Sequence, residues 1–143
     1  MKDVDKIYRL AIFNSLNGNI SVPIFDEVKK IGSAATVFVL LGGQRTVQDP
    51  TADLLWGRRC SIELIITHKT GVSATKDIID DISNEILEKL FPDYDTFDVL
   101  QPEGFQFANP SFETGFINPL KISDTESIMA KVITISMNII QQF

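Results

Sequence analysis

Residues 56–91 read WGRRCSIELIITHKTGVSATKDIIDDISNEILEKLF, and within them a two-residue period of apolar side chains changes to a helical period. Before the joint at residues 70–73, every second position is apolar, at Cys60, Ile62, Leu64 and Ile66. This alternation predicts a strand with one buried and one solvated face. After the joint, apolar residues recur at helical spacing, at Ile78, Ile79, Ile82, Ile86, Leu87 and Leu90. Such spacing predicts an amphipathic helix that covers the sheet.

The segments on either side complete the predicted fold. A first helix is predicted from the apolar face formed by Val4, Ile7, Tyr8, Ala11 and Ile12. Residues 22–25 contain Pro23, which cannot donate to a sheet, so we expect them to be extended and at a sheet edge. Strands are predicted at residues 36–41, 97–100 and 129–139. The result is a single α+β domain over residues 1–143, with an antiparallel β-sheet, a long hairpin loop and helices packed on one face.

Composition and charge narrow the classes of function. The chain has 143 residues, 44% of them apolar, and a formal charge of −6. The size suits one hydrophobic core, and the acidic balance argues against tight binding to the outside of a nucleic-acid duplex. Cys60 is the single cysteine, so no disulfide forms within the chain, and its place on an apolar strand face predicts a buried thiol. No apolar run approaches the ~20 residues of a membrane span, so no membrane partner is expected. We expect the protein to be synthesised in a cytoplasm.

The sequence carries no recognised catalytic motif. The spacings G-x-S-x-G, H-E-x-x-H, C-x-x-C and that of the EF-hand do not occur. Gly42 and Gly43 lack the spacing of a phosphate-binding loop and are expected to permit a bulge or bend. The only histidine, His68, is separated from Cys60 by about 26 Å of strand, too far for a catalytic dyad. We therefore predict neither a catalytic residue nor a cofactor, and no enzyme.

One acidic stripe leaves two alternatives open. Asp77, Asp81 and Glu85 follow one another at four-residue spacing, so their carboxylates line one face of the predicted helix. They are either a solvated helix face or ligands for a hard cation such as magnesium or calcium.

Two segments are candidates for contacts with other subunits. Residues 42–53 are rich in turn formers and are predicted to form a loop that projects from the body, with Arg45, Asp49 and Asp53 on it. Residues 101–127 mix prolines and glycines with Phe105, Phe107, Phe112 and Phe116, and are either a long hairpin or an extended, ordered arm. The four rings either pack over the open face of the sheet or anchor a neighbouring subunit.

The order of elements resembles a known family. A helix at residues 8–16, the extended piece at 22–25, a strand, a projecting loop, the strand at 60–68 and the helix at 75–91 look like the tail-terminator and tail-completion proteins of bacteriophages. Head–tail connector and neck proteins share this small fold. The resemblance covers residues 4–91 and the final strand, whereas residues 101–127 are longer than is usual in that family.

The resemblance implies a structural role. It implies a homo-oligomeric ring, sixfold or twelvefold, in the phage neck or at the head-proximal end of the tail, which joins or terminates the tail and lets DNA pass without sequence-specific binding. Its partners would be the tail tube, the portal or other neck proteins, and its location the virion, after assembly in the host cytoplasm. The expected oligomer or stacking contacts are Arg45, Asp49, Asp53, Phe105, Phe107, Phe112 and Phe116. The alternatives are a small non-viral adaptor or chaperone-like oligomer, and a carboxylate-metal-dependent enzyme.

Overall fold

A computed structural model describes residues 3–27, 31, 36–48, 57–70, 76–93, 96–99, 101–121 and 127–141, which contain two helices and five strands. The elements are α1 (Asp5–Leu16), β1 (Ile24–Phe25), β2 (Val37–Gln48), β3 (Gly57–Thr70), α2 (Lys76–Leu90), β4 (Phe105–Lys121) and β5 (Ser127–Gln141). The predicted α+β class is confirmed.

The five strands form one mixed sheet in the order β1-β2-β3-β5-β4. β1 lies at an edge, as predicted for the segment containing Pro23, and pairs with β2 through Ile24↔Val39 and Phe25↔Leu40. This pair is parallel, so the prediction of a fully antiparallel sheet is wrong at this strand. The physical reason is the length of the connection: 11 residues separate β1 from β2, whereas a two-residue hairpin would impose antiparallel pairing.

The centre of the sheet is the long antiparallel pair of β3 and β5. It runs without interruption from Gly57↔Ile140 to Thr70↔Ser127. Since residues directly opposite each other point to the same side, most buried residues of both strands share one side, which we call the core face, whereas Ala130 and Asn138 are buried on the other side. Its central members are Cys60, Ile62, Leu64, Ile66, Ile133, Ile135, Met137 and Ile139, all of them buried. The alternation predicted for both strands is confirmed.

Both predicted helices are present. The buried residues of α1 are Tyr8, Ala11, Ile12 and Leu16, and those of α2 are Ile79, Ile82, Ser83, Ile86 and Leu90. α1 is followed by Gly18 with a φ of 80°, the left-handed geometry expected after a helix. Ile78, which was expected on the apolar face of α2, is 42% exposed because the stripe through Ile79, Ile82 and Ile86 sets which side is buried.

The strand predicted at residues 97–100 is wrong for residues 97–99, and Leu100 lies outside the described residues. The chain instead closes the end of α2: the Asp98 N–H donates to the Leu90 carbonyl at 2.8 Å, and the Phe97 ring lies 5.0 Å from the Phe91 ring. The apolar alternation of Phe97 and Val99 therefore reflects packing on a helix end, not pairing in a sheet.

The loop predicted at residues 42–53 is also wrong up to Gln48, because β2 continues that far. The register of β2 against β3 shifts between Leu41 and Gln44, so Gly42 and Gly43 form the predicted bulge. A Cβ on Gly42 would lie 2.8 Å from Cδ1 of Ile65. The glycine thus allows the bulged backbone to approach β3.

Candidate assembly surface

Residues 101–121 and 127–141 form the long hairpin that was one of the two alternatives for this segment. β4 pairs antiparallel with β5 and occupies the edge of the sheet opposite to β1. The segment therefore extends the sheet as a fifth strand. Its register shifts between Ala108 and Ser111 and again between Ile117 and Leu120. Residues 111–117 are thus a regular run between two irregularities.

The four phenylalanines share the core face but differ in exposure. Their partners on β5 are Gln141 for Phe105, Ile139 for Phe107, Ile135 for Phe112 and Lys131 for Phe116. Phe107 is buried and meets the Tyr8 ring edge-to-face at 6.1 Å, and Phe105 packs against the same core. Phe112 and Phe116 remain 48% and 39% exposed. The structure therefore places the first two rings in the core and the last two at the surface.

Phe112 forms one wall of a shallow apolar groove beside the end of α2. Its ring lies 5.3 Å from the Phe91 ring. The groove has a volume of about 370 Å³ and is lined by Leu87, Glu88, Phe91, Pro92, Asp93 and Phe112.

The ring of Phe116 contacts two lysine side chains. The Lys76 and Lys131 ammonium groups lie 4.8 and 5.1 Å from the centre of its ring, within the range of cation–π attraction. Lys131 also lies 3.1 Å from a carboxylate oxygen of Asp80 on α2. These contacts fix the orientation of the ring while leaving part of it accessible.

Residues 109–117 are all exposed, and they include Ile117 at 49%. Arg59 attaches the start of this run to the sheet. Its Nη1 donates to the Asn109 carbonyl at 2.7 Å and to Oδ1 of Asn138 at 3.0 Å, and its Nη2 donates to Oγ of Ser111 at 2.8 Å. Asn109 has a φ of 53°, a left-handed geometry that asparagine tolerates. Sequence reasoning missed Arg59, although its place at a polar position of the alternating strand was visible.

Arg45 lies on β2, on the side of the sheet away from the core face, which we call the opposite face. It pairs with Ser61 and is exposed. Glu113 on β4 pairs with Thr134 and points to the same side. Neither charge forms a hydrogen bond or ion pair with another described residue. Asp49 and Asp53, predicted alongside Arg45, lie outside the described residues.

The neighbours of Arg45 along β2 hold α1 in place, a role that sequence reasoning also missed. Nη1 of Arg9 donates to Oε1 of Gln44 at 3.0 Å, and Nε2 of Gln44 donates to the Asp5 carbonyl at 2.9 Å. The Thr46 hydroxyl donates to the Asp5 carboxylate. This half of β2 is therefore anchored from the core face, while Arg45 faces the other way.

Three side chains that were considered for chemistry in the sequence, Cys60, His68 and Glu85, lie in the described part of the chain. Cys60 is buried as predicted, burial raises the pKa of its thiol, and a hydrogen bond with Thr46 at 3.6 Å only partly offsets that effect. Nδ1 of His68 is buried without a hydrogen-bond partner among the described residues. Glu85 accepts hydrogen bonds from the N–H and hydroxyl of Ser21 at 3.1 and 2.6 Å. Within the described ranges, no three histidine, cysteine or acidic side chains are placed to hold a metal ion.

Two further findings concern membrane-spanning helices and similarity to known proteins. Among the helices in the described part of the chain, none has the length and apolar character needed to span a membrane. Neither a protein-family model nor a curated protein sequence matches the chain.

Proposed function

We propose that the protein is a structural subunit of a homo-oligomeric ring in a bacteriophage, located in the neck or at the head-proximal end of the tail. The observation that carries the proposal is the exposed edge of β4, where residues 109–117 leave Phe112, Phe116 and Ile117 open to solvent. In this role the ring joins or terminates the tail and lets DNA pass without sequence-specific binding. Its partners are other copies of the chain and the tail tube, portal or neck proteins.

An edge of this kind supports assembly for two physical reasons. A long edge strand presents unpaired backbone N–H and C=O groups that can pair with another chain, and monomeric proteins usually shorten, charge or cover such strands. Large exposed apolar side chains that lie together are also typical of surfaces that meet another protein. β4 combines both features, and Glu113 is the only charged residue of the regular run 111–117.

The contacts of the two helices with β5 also support the resemblance. The Tyr8 hydroxyl of α1 bonds the Ile135 carbonyl, and Asp80 of α2 pairs with Lys131. Since Ile135 and Lys131 both project toward the core face, we infer that both helices cover this side. The opposite face then remains as the second wall of the subunit, and both acidic and basic side chains are exposed on it. The formal net charge of −6 argues against retention of a passing duplex on such a wall.

A catalytic role has less support. The acidic stripe of α2 does not converge with other ligands in the described ranges, and Glu85 is engaged by Ser21. A small adaptor or chaperone-like oligomer uses the same edge equally well, so the oligomeric state decides between it and a ring.

The test is the native mass of the full chain over a concentration series, together with negative-stain images. We expect closed rings, sixfold or twelvefold, formed alone or with a tail component. Phe112→Ser should reduce ring formation, because it removes an exposed ring from the edge. Ile78→Ser is the matched control, since Ile78 is exposed to a similar extent on α2. A strict monomer or dimer at every concentration and with every structural partner would contradict the proposal.

A further inference from the structure

We propose that neighbouring copies join by pairing β4 of one copy with the free edge of β2 of the next, in antiparallel register with Glu113 opposite Arg45. The inference rests on the proposed ring and names the contact from which it is built. The occupant of the exposed edge is thus a second copy of this chain, and the contact is heterologous: the two partners use different surfaces.

The first argument is that both edges are available over similar lengths. β1 covers β2 only at Val39 and Leu40. Beyond them, residues 41–48 of β2 have no strand on their outer side among the described residues. At the opposite edge of the sheet, residues 111–117 of β4 form a regular run. Among the described residues, no strand pairs with the outer side of this run. Each subunit therefore carries two complementary strand edges.

The second argument is direction. β2 pairs antiparallel with β3, β3 with β5, and β5 with β4. Three successive reversals leave β4 antiparallel to β2. A second copy that continues the sheet with its core face on the same side therefore presents its β2 antiparallel to β4, as the commoner and stronger type of pairing requires. The rotation that relates one copy to the next repeats at each contact, and the ring closes when this rotation divides a full turn.

The third argument is register. Glu113 and Arg45 both lie on the opposite face, through their partners Thr134 and Ser61. Setting them opposite each other places Phe112 opposite Thr46, and both of these lie on the core face through Ile135 and Cys60. A slip by one residue would put every side chain opposite a residue of the wrong face. The register also pairs an acidic with a basic side chain, neither of which has a charged partner among the described residues.

The experiment is disulfide trapping in the full chain with Cys60→Ala, so that introduced thiols are the only ones. Glu113→Cys combined with Arg45→Cys should give, on oxidation, a ladder of covalent oligomers up to the ring number, because directly opposite strand residues have the separation that a disulfide needs. Phe112→Cys combined with Arg45→Cys is the matched control for the wrong face and should give no ladder. Glu113→Cys alone should give only the monomer band on a denaturing gel after oxidation; a covalent dimer from it would mean a two-fold β4–β4 contact and would overturn the proposal.

Charge exchange tests the same pair without cysteines. Glu113→Lys and Arg45→Glu should each lower the assembled fraction several-fold, and the double variant should restore it. Rings seen by microscopy without a ladder and without this rescue would overturn the pairing while leaving the ring function intact. A ladder from particles that never close would support the pairing and contradict the ring. Monomers under all conditions would overturn both.

Discussion

Replacing Tyr8 by phenylalanine or alanine separates two contributions that hold α1 on the sheet. Tyr8 is fully buried, its hydroxyl donates to the Ile135 carbonyl at 2.8 Å, and its ring meets Phe107 edge-to-face. Tyr8→Phe removes only the hydrogen bond and should lower the free energy of unfolding by about 1 kcal/mol. Tyr8→Ala also removes the ring and should lower it by about 4 kcal/mol. The difference assigns about 3 kcal/mol to the packing of the ring.

The pH dependence of the free energy of unfolding provides an independent test with the Tyr8→Phe variant. Burial raises the pKa of Tyr8 far above its ordinary value of 10.0. Above that pH the unfolded chain releases the phenolic proton while the folded protein keeps it. The Tyr8 contribution to stability is therefore complete below pH 10 and declines as the pH rises, by up to about 1.4 kcal/mol for each pH unit. Tyr8→Phe lacks this loss, so its deficit of about 1 kcal/mol should vanish and then reverse between about pH 10.5 and 11.

The measurement is urea unfolding followed by circular dichroism from pH 7 to pH 11, on the wild type and both variants. Ser15→Ala is a suitable control: it removes a hydrogen bond to the Ala11 carbonyl in the same helix without opening the contact with β5. Other groups that titrate at high pH are common to all the proteins and cancel in the comparison. Equal stability of wild type and Tyr8→Phe at pH 7, with parallel decline at high pH, would refute the placement of α1 on β5.

Two further outcomes test the bulge and the buried thiol. Gly42→Ala should destabilise the fold by about 1 kcal/mol because its Cβ would meet Cδ1 of Ile65 at 2.8 Å, whereas Gly43→Ala, whose nearest contact is 3.7 Å, should cost less than about 0.5 kcal/mol in the same thermal melts; equal effects would contradict the asymmetry of the bulge. The Cys60 thiol, buried and with a raised pKa, should react with a thiol reagent at neutral pH only after unfolding in urea. Rapid labelling of the folded protein would contradict its burial.

The parts of the fold that the sequence predicted well are those that bury one side only. Ile62, Leu64 and Ile66 alternate with polar residues because β3 has one face toward the core, and Ile79, Ile82 and Ile86 recur at helical spacing for the same reason. A one-sided environment imposes its period on the sequence. The buried Cys60 follows from the same pattern.

The predictions that were wrong concern residues whose neighbours are remote in sequence. Phe97 and Val99 alternate like a strand, but they pack on the end of α2 and the hydrophobic core. Gln44 looked like part of a loop because glycines precede it, yet β3 and α1 hold it in a strand. The direction of β1 depends on its pairing with Val39 and Leu40, which are distant in sequence, and local patterns do not encode that pairing.

β4 is the most informative case, because its lack of periodicity has a physical cause. Along residues 109–117 both faces and the outer edge are exposed, so no one-sided burial exists to impose a two-residue period. Yet the run keeps Phe112, Phe116 and Ile117, which a solvated edge strand does not need. Apolar residues without a period in the isolated chain are expected if the environment that selected them lies partly on another subunit. The feature that hid the strand from sequence reasoning is therefore also an argument for the contact with β2 of a neighbouring copy.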